Sequence, residues 1–147
     1  MIGEQQKKEV TAKEIFNAGA NCSEAIWQAF STHLTEDEQK LGNHLAGGFG
    51  GGISAGDICG AIAGGVLVLG LHYGRDPGAE RKKELKELGK KFYQMAQAEL
   101  GSVYCRDLRN LQEENYRAKC AVIVEKMAAL VEALLTEKRQ AEGGNCS

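Results

Sequence analysis

Residues 45–74, LAGGFGGGISAGDICGAIAGGVLVLGLHYG, limit what this chain can fold into more than any other stretch. Gly47, Gly48, Gly50, Gly51, Gly52 and Gly56 crowd six glycines into ten residues. Each gives up more conformational freedom on folding than any other residue would, about 0.5–1 kcal/mol against alanine inside a regular element. Gly60, Gly64, Gly65 and Gly70 then interrupt a run that is otherwise apolar and helical in character, where each costs about 1 kcal/mol. A domain with a net stability of roughly 5–15 kcal/mol carries such a load only where backbone must come close to something. The stretch therefore predicts a tight glycine-rich loop followed by a closely packed helix. Gly60 and Gly64 lie one turn apart on a small-residue face, with Ala63 and Gly56 nearby.

That helix reads as the centre of a core rather than a membrane span. Its uncharged run, 58–71, is 14 residues long, short of the ~20 needed to cross a bilayer, and Asp57 with the glycine loop blocks any extension. The rest of the chain is helical in pattern. Residues 11–18 suit a short first helix, and Asn21 can cap a second in which Cys22, Ala25, Ile26, Ala29, Phe30 and His33 recur on one face. Thr35 with Glu38 is a capping-box pair opening a third. Asp57 is placed to cap the central helix, which ends at Gly74. Leu85, Leu88, Phe92, Met95 and Leu100 mark a fifth, closed by Gly101, and Cys120, Ile123, Met127, Leu130 and Leu134 a sixth. With 147 residues, 43% hydrophobic and a single proline, the chain is the size of one domain. The expected fold is all-α: a compact single-domain bundle of about six helices with the glycine-rich loop before a central buried helix. Residues 1–140 form the domain, and 141–147 a flexible tail.

Charge excludes one class of function. A formal net charge of -2 offers no field to gather nucleic acid. Lys82, Lys83, Lys86, Lys90 and Lys91 are interleaved with Glu80, Glu84 and Glu87, which describes a solvated helix face. The opening MIGEQQKKEVTAKE lacks the apolar core of a secretory signal, so a cytoplasmic location is expected.

Chemistry points to the cysteines. Five in a cytosolic chain suggest metal binding or redox activity rather than permanent cross-links. If Asn21 and Asp57 are the caps, Cys22 and Cys59 fall in helix first turns, where free N–H groups and the helix dipole favour the thiolate. Cys120 faces inward on the last helix, and Cys105 follows Gly101 on a connecting segment. Any one of these is explained by packing alone, since cysteine is among the most buried residues; all four together point to a shared site. No CxxC links them, so zinc-ribbon and thioredoxin motifs are absent, and no CxxCH exists for covalent haem. Four thiolates are the usual complement of an iron–sulfur cluster, to whose sulfurs backbone N–H groups of a glycine loop can donate. Gly50, Gly51, Gly52 and Gly60 are the candidates for that role, with plain tight packing as the competing explanation. Gly50, Gly52 and Ala55 also fit GxGxxA, but no strand precedes them and no Walker lysine follows. His33, His44 and His72 have no ligand spacing and read as surface or satisfied core histidines.

These cysteines and their flanks resemble the C_GCAxxG_C_C family of redox-active proteins. CGAIAG at 59–64 is similar to the family's central motif, with Cys-Gly-Ala where the family name has Gly-Cys-Ala. Asn21-Cys22, the glycine loop, GLHYG at 70–74, GSVYCRDL at 101–108 and Cys120 resemble its other segments. The likeness runs from about Ala12 to Leu134. It implies a small redox protein whose genes often accompany transporter genes, hence a link to a membrane transporter. It also implies a domain shared with split-Soret cytochromes, of which only the cluster-bearing part could carry over here.

The expected function is electron transfer, with Cys22, Cys59, Cys105 and Cys120 ligating one [2Fe-2S] cluster. A metal-free thiol–disulfide protein, and a protein holding zinc or a transported metal, are the alternatives. No acid–base pair marks an enzyme with its own substrate. A redox partner is required but not identified, and a homodimer is left open. Cys146, just past Gly143-Gly144, lies beyond the family pattern and is expected to play no part.

Overall fold

The structure, a computed structural model, describes residues 7–143. Within them the chain forms seven α-helices and one irregular turn: α1 Lys8–Asn17, α2 Cys22–Phe30, α3 Glu36–Gly47, the turn Gly52–Gly56, α4 Gly60–Tyr73, α5 Lys83–Leu100, α6 Cys105–Leu108 and α7 Tyr116–Gly143. The all-α expectation holds: among the described residues no strand occurs, only an isolated antiparallel bridge between Ile58 and Tyr104. No helix among them is long and apolar enough to cross a membrane.

Local sequence explains the boundaries. Asn21 accepts a hydrogen bond from the Glu24 N–H while the Glu24 carboxylate accepts from the Asn21 N–H, both at 2.9 Å, which satisfies two free donors at the start of α2. Thr35 and Glu38 do the same for α3. Gly101, with φ 83°, ends α5 in the left-handed conformation that glycine adopts without penalty.

The central helix is α4, packed against α2, α5 and α7, while α1 lies on α2 and α7. Ala61, Ile62, Val68 and Leu69 are fully buried there beside Phe92, Val124, Met127 and Val131. Gly60, Gly64 and Gly65 have the close neighbours that the sequence demanded, whereas Gly70 has nothing within 4 Å of where its Cβ would be. A Cβ on Gly64 would lie 3.0 Å from the Ser23 backbone and 3.1 Å from Ile26, and one on Gly65 would press on the Phe92 ring. Helix α2 therefore rests on bare backbone of α4.

Several expectations need correction. Asp57 does not cap α4; Cys59 occupies the N-cap position itself. Asp57 is drawn instead into the turn and the bridge, its N–H donating to Gly52 O at 2.9 Å and its carbonyl accepting from the Cys105 N–H at 2.7 Å. Cys105 is not on a plain connection but opens the one-turn helix α6, which adds a seventh helix to the six expected. His33 lies beyond the end of α2, exposed and stacked on the exposed His72 with ring centroids 5.7 Å apart. Helix α7 continues through Gly143, so 141–143 are helical. Cys146 lies outside the described residues.

Candidate redox centre

Four elements bring four thiols to one end of the bundle. Cys22 is the first residue of α2, Cys59 the N-cap of α4, Cys105 the first residue of α6, and Cys120 sits in the second turn of α7. Backbone ties hold the second and third: the Cys59 N–H donates to Val103 O and the Cys105 N–H to Asp57 O, both at 2.7 Å. Gly60 brings α4 against the first, since a Cβ there would lie 3.2 Å from Cys22 Cβ, 3.0 Å from Phe49 O and 3.3 Å from Gly50 Cα. Cys59, Cys105 and Cys120 are buried and Cys22 is half-buried; all four are free thiols.

The thiols act on one another electrically. Each of the six pairs among them interacts, and Cys22 and Cys120 share a hydrogen bond. Cys22, as donor, is held well above the ordinary thiol range by that bond first, then by burial and by the three neighbouring thiols. Cys120, as acceptor, is lowered to about 7, first by Cys22 and then, against the opposing effect of burial, by the guanidinium groups of Arg109 and Arg117. Burial pushes Cys59 up, while the N–H groups of Ile62 and Ala61 in the first turn of α4 pull it down. Burial also raises Cys105, with Arg109 opposing it. One negative charge is thus readily held, on Cys120, and further ones only with outside help.

The glycine loop is a left-handed turn beside these thiols. Gly51 and Gly52 have φ 65°, Ile53 59°, Ser54 55° and Gly56 72°. Gly52 is forced to be glycine, because a Cβ would lie 2.5 Å from the Asp57 N and O atoms. Gly50 packs on the Asn21 side chain, whose Nδ2 donates to Gly47 O at 3.2 Å, so the residue that caps α2 also fastens the loop. Gly51 lies under the Arg109 guanidinium. Of the glycines proposed to serve a cofactor, Gly50 and Gly60 thus stand next to Cys22 and its cap, Gly51 next to Arg109, and Gly52 in the turn's own hydrogen bonding.

Arg109 and Arg117 are the site residues that the sequence reading missed. Arg117 is pinned by a 2.8 Å hydrogen bond to Phe16 O and lies 4.1 Å over the Phe16 ring. The available signal was position: Arg109 is one helical turn past Cys105, and Arg117 one turn before Cys120 counted along α7.

A family model described as "Putative redox-active protein (C_GCAxxG_C_C)" matches residues 20–134, a span that contains all four of these cysteines. The chain belongs to this family. No curated protein and no solved structure matches it. The C_GCAxxG_C_C family is described by its redox activity, and the chemistry of this member must be sought in the donor set. That set is thiol only. Among the described residues no group of three or more His, Cys, Asp or Glu side chains is disposed as it stands to hold a metal ion, so a metal centre here would require the thiols to adjust from the positions described.

Proposed function

We propose that the protein is a small electron-transfer protein whose Cys22, Cys59, Cys105 and Cys120 together hold an iron–sulfur cluster of the [2Fe-2S] type. The observation that carries this reading is the convergence of four thiols from four separate elements, close enough to act on one another electrically. Such a group, when bound, supplies a one-electron carrier.

The chain's own residues are suited to it. Thiols enter a metal centre as thiolates and lose their protons on binding, and Arg109 and Arg117 supply positive charge beside the most acidic of them. The first-turn N–H groups of Ala61 and Ile62 favour the thiolate at Cys59, and hydrogen bonds to cluster sulfurs are a known control on potential. Burial of three of the four thiols limits the access of water to the centre. A link to a membrane transporter belongs to the same proposal and rests on the family likeness alone.

The Cys22–Cys120 interaction favours a second reading, a dithiol–disulfide couple in which the Cys120 thiolate attacks a disulfide of the redox partner and releases one partner thiolate, and Cys22 then attacks the mixed disulfide, releasing the second and leaving a Cys22–Cys120 disulfide. Anaerobically purified protein decides between them. Iron and acid-labile sulfide in equal amounts with a visible chromophore support the cluster. Their absence, with a Cys22–Cys120 disulfide forming on oxidation, supports the couple, and stoichiometric zinc overturns both.

A further inference from the structure

The molecule holds two capping boxes of the same kind, and they differ in one bond. At the start of α3 the Thr35 hydroxyl bonds Glu38 alone among the described residues, accepting from its N–H and donating to its carboxylate. At the start of α2 the Asn21 side chain accepts from the Glu24 N–H and then reaches further, Nδ2 donating to Gly47 O at 3.2 Å. Gly47 is the last residue of α3, where a carbonyl has no partner in its own helix. One amide thus serves the free N–H end of α2 and the free C=O end of α3.

We propose that Asn21 is a positioning residue of the redox centre, holding Cys22 against the glycine turn so that it stays in register with Cys120. The inference rests on the placing of Cys22 in that centre, and it adds the group that keeps it there.

Three observations carry it. First, Cys22 depends on its cap. Cys59 and Cys105 are tied by their own peptide N–H groups to Val103 O and Asp57 O, and Cys120 lies within a long helix. Cys22 is the first residue of α2, where the N–H groups have no partner in the helix, and Asn21 precedes it directly.

Second, the loop is shaped around this residue. A Cβ on Gly50 would lie 2.5 Å from Asn21 Nδ2 and 2.7 Å from its Cγ, and one on Gly47 3.3 Å from Glu24 Oε2. Two of the loop glycines are therefore bare where the Asn21–Glu24 pair sits. Gly50 Cα in turn meets Gly60 of α4 at the place where Cys22 Cβ also approaches it. A shift of Asn21 is passed to Cys22 on one side and to the turn's seat on α4 on the other.

Third, the residue type matches the double task. The cap needs an acceptor and Gly47 O needs a donor. A carboxylate has acceptors only, and a serine or threonine hydroxyl is a single short group, whereas the asparagine amide carries an acceptor and two donors on one plane.

The test is the rate at which the metal-free, reduced protein forms a Cys22–Cys120 disulfide in oxidised glutathione, with the product located by peptide mapping. Oxidised glutathione takes up the two electrons and the two thiol protons and leaves as two molecules of the thiol. The variants are Asn21→Ser and Asn21→Asp, which both keep a cap on α2, and Thr35→Ala, which removes the cap of α3; far-ultraviolet circular dichroism checks that each is folded. Both Asn21 variants should react about tenfold more slowly, because small displacements of reacting atoms cost factors of this order or more, while Thr35→Ala reacts at the parent rate. Slowing by Asn21→Asp alone assigns the effect to the added charge, and equal slowing by Thr35→Ala assigns it to general loss of stability; either overturns the proposal. So do parent rates in both Asn21 variants, or the lack of a Cys22–Cys120 disulfide in the parent. Iron and acid-labile sulfide in anaerobically purified parent keep the cluster reading separate. Their absence removes the cluster and leaves the disulfide rates to decide on Asn21. Where they are present, Asn21→Ser should lower them and Thr35→Ala should not, and equal content in the two variants removes the role of Asn21 alone.

Discussion

The Cys22–Cys120 pair behaves as one acid with two distant steps. In reduced, metal-free protein one thiol of the pair should be alkylated by iodoacetamide with an apparent pKa of about 7, against an ordinary value of 9.0, and peptide mapping should find the label on Cys120. The same shift ties stability to pH. Cys120 ionises more readily folded than unfolded, so its contribution is complete above pH 9.0 and is lost as pH falls through 7. Cys22 is raised and works oppositely, since above pH 9.0 the unfolded chain ionises a thiol that the fold keeps protonated. The pair's contribution should therefore rise between pH 7 and 9 and decline beyond, which urea midpoints across that range measure. If the cluster reading holds, serine at Cys22, Cys59, Cys105 or Cys120 should lower or abolish iron, sulfide and the visible spectrum, while Cys146→Ser leaves them intact; equal content in all five variants removes the reading. Cys22 and Cys120 were legible as inward-facing because helical spacing and the Asn21 cap place them so without knowledge of the fold, whereas Cys59 was read from an Asp57 cap that does not form and Cys105 from a connecting segment that is a helix start. Arg109 and Arg117 were not legible, because nothing in a linear pattern tells a guanidinium aimed at a thiolate from one in water.

Helix α4 is the element on which close packing depends. Leucine at Gly60 or Gly64 must push backbone, not a flexible side-chain tip: Phe49 O and Gly50 Cα at the first, the Ser23 backbone at the second. Overpacking costs about 1–3 kcal/mol, and both variants should sit at the upper end of that range in chemical denaturation. If the cluster reading holds, Gly60→Leu should also lose the cluster, because it displaces Cys22. Ala61→Gly, which empties a small volume and adds chain entropy, should cost about 1 kcal/mol and leave the site in place. Here the sequence was informative about which glycines meet backbone, since their spacing defines one face. It misplaced the start of the helix by two residues: Asp57 is the better capping residue by type, but its backbone is committed to the turn and to Cys105. Nor does residue type betray the left-handed Ile53 and Ser54, which lie between the positive-φ Gly52 and Gly56 in the turn that the Gly52–Asp57 hydrogen bond closes.

At the scale of the molecule, the centre joins pieces far apart in the chain, so occupancy and folding must be coupled. Anything that binds the folded state alone raises its stability by mass action. If the cluster reading holds, removing the cluster with a chelator under reducing conditions should lower the melting temperature while far-ultraviolet circular dichroism stays helical, because the core that joins α2, α4, α5 and α7 has many apolar members besides Cys59 and Cys120. Loss of helix along with metal would instead make the centre the organiser of the fold. The class of the fold was legible because helical periodicity is local; which ends of which helices meet was not, because that is decided by long-range packing. The bridge at Ile58 and Tyr104 shows how such a meeting is made durable. Its two hydrogen bonds are donated by the peptide groups of Cys59 and Cys105 themselves and received by main-chain carbonyls, so no substitution of a neighbouring side chain deletes them. Changing the exposed side chains of Asp57 or Tyr104 therefore leaves in place the main-chain donors and acceptors that hold the two cysteines in register.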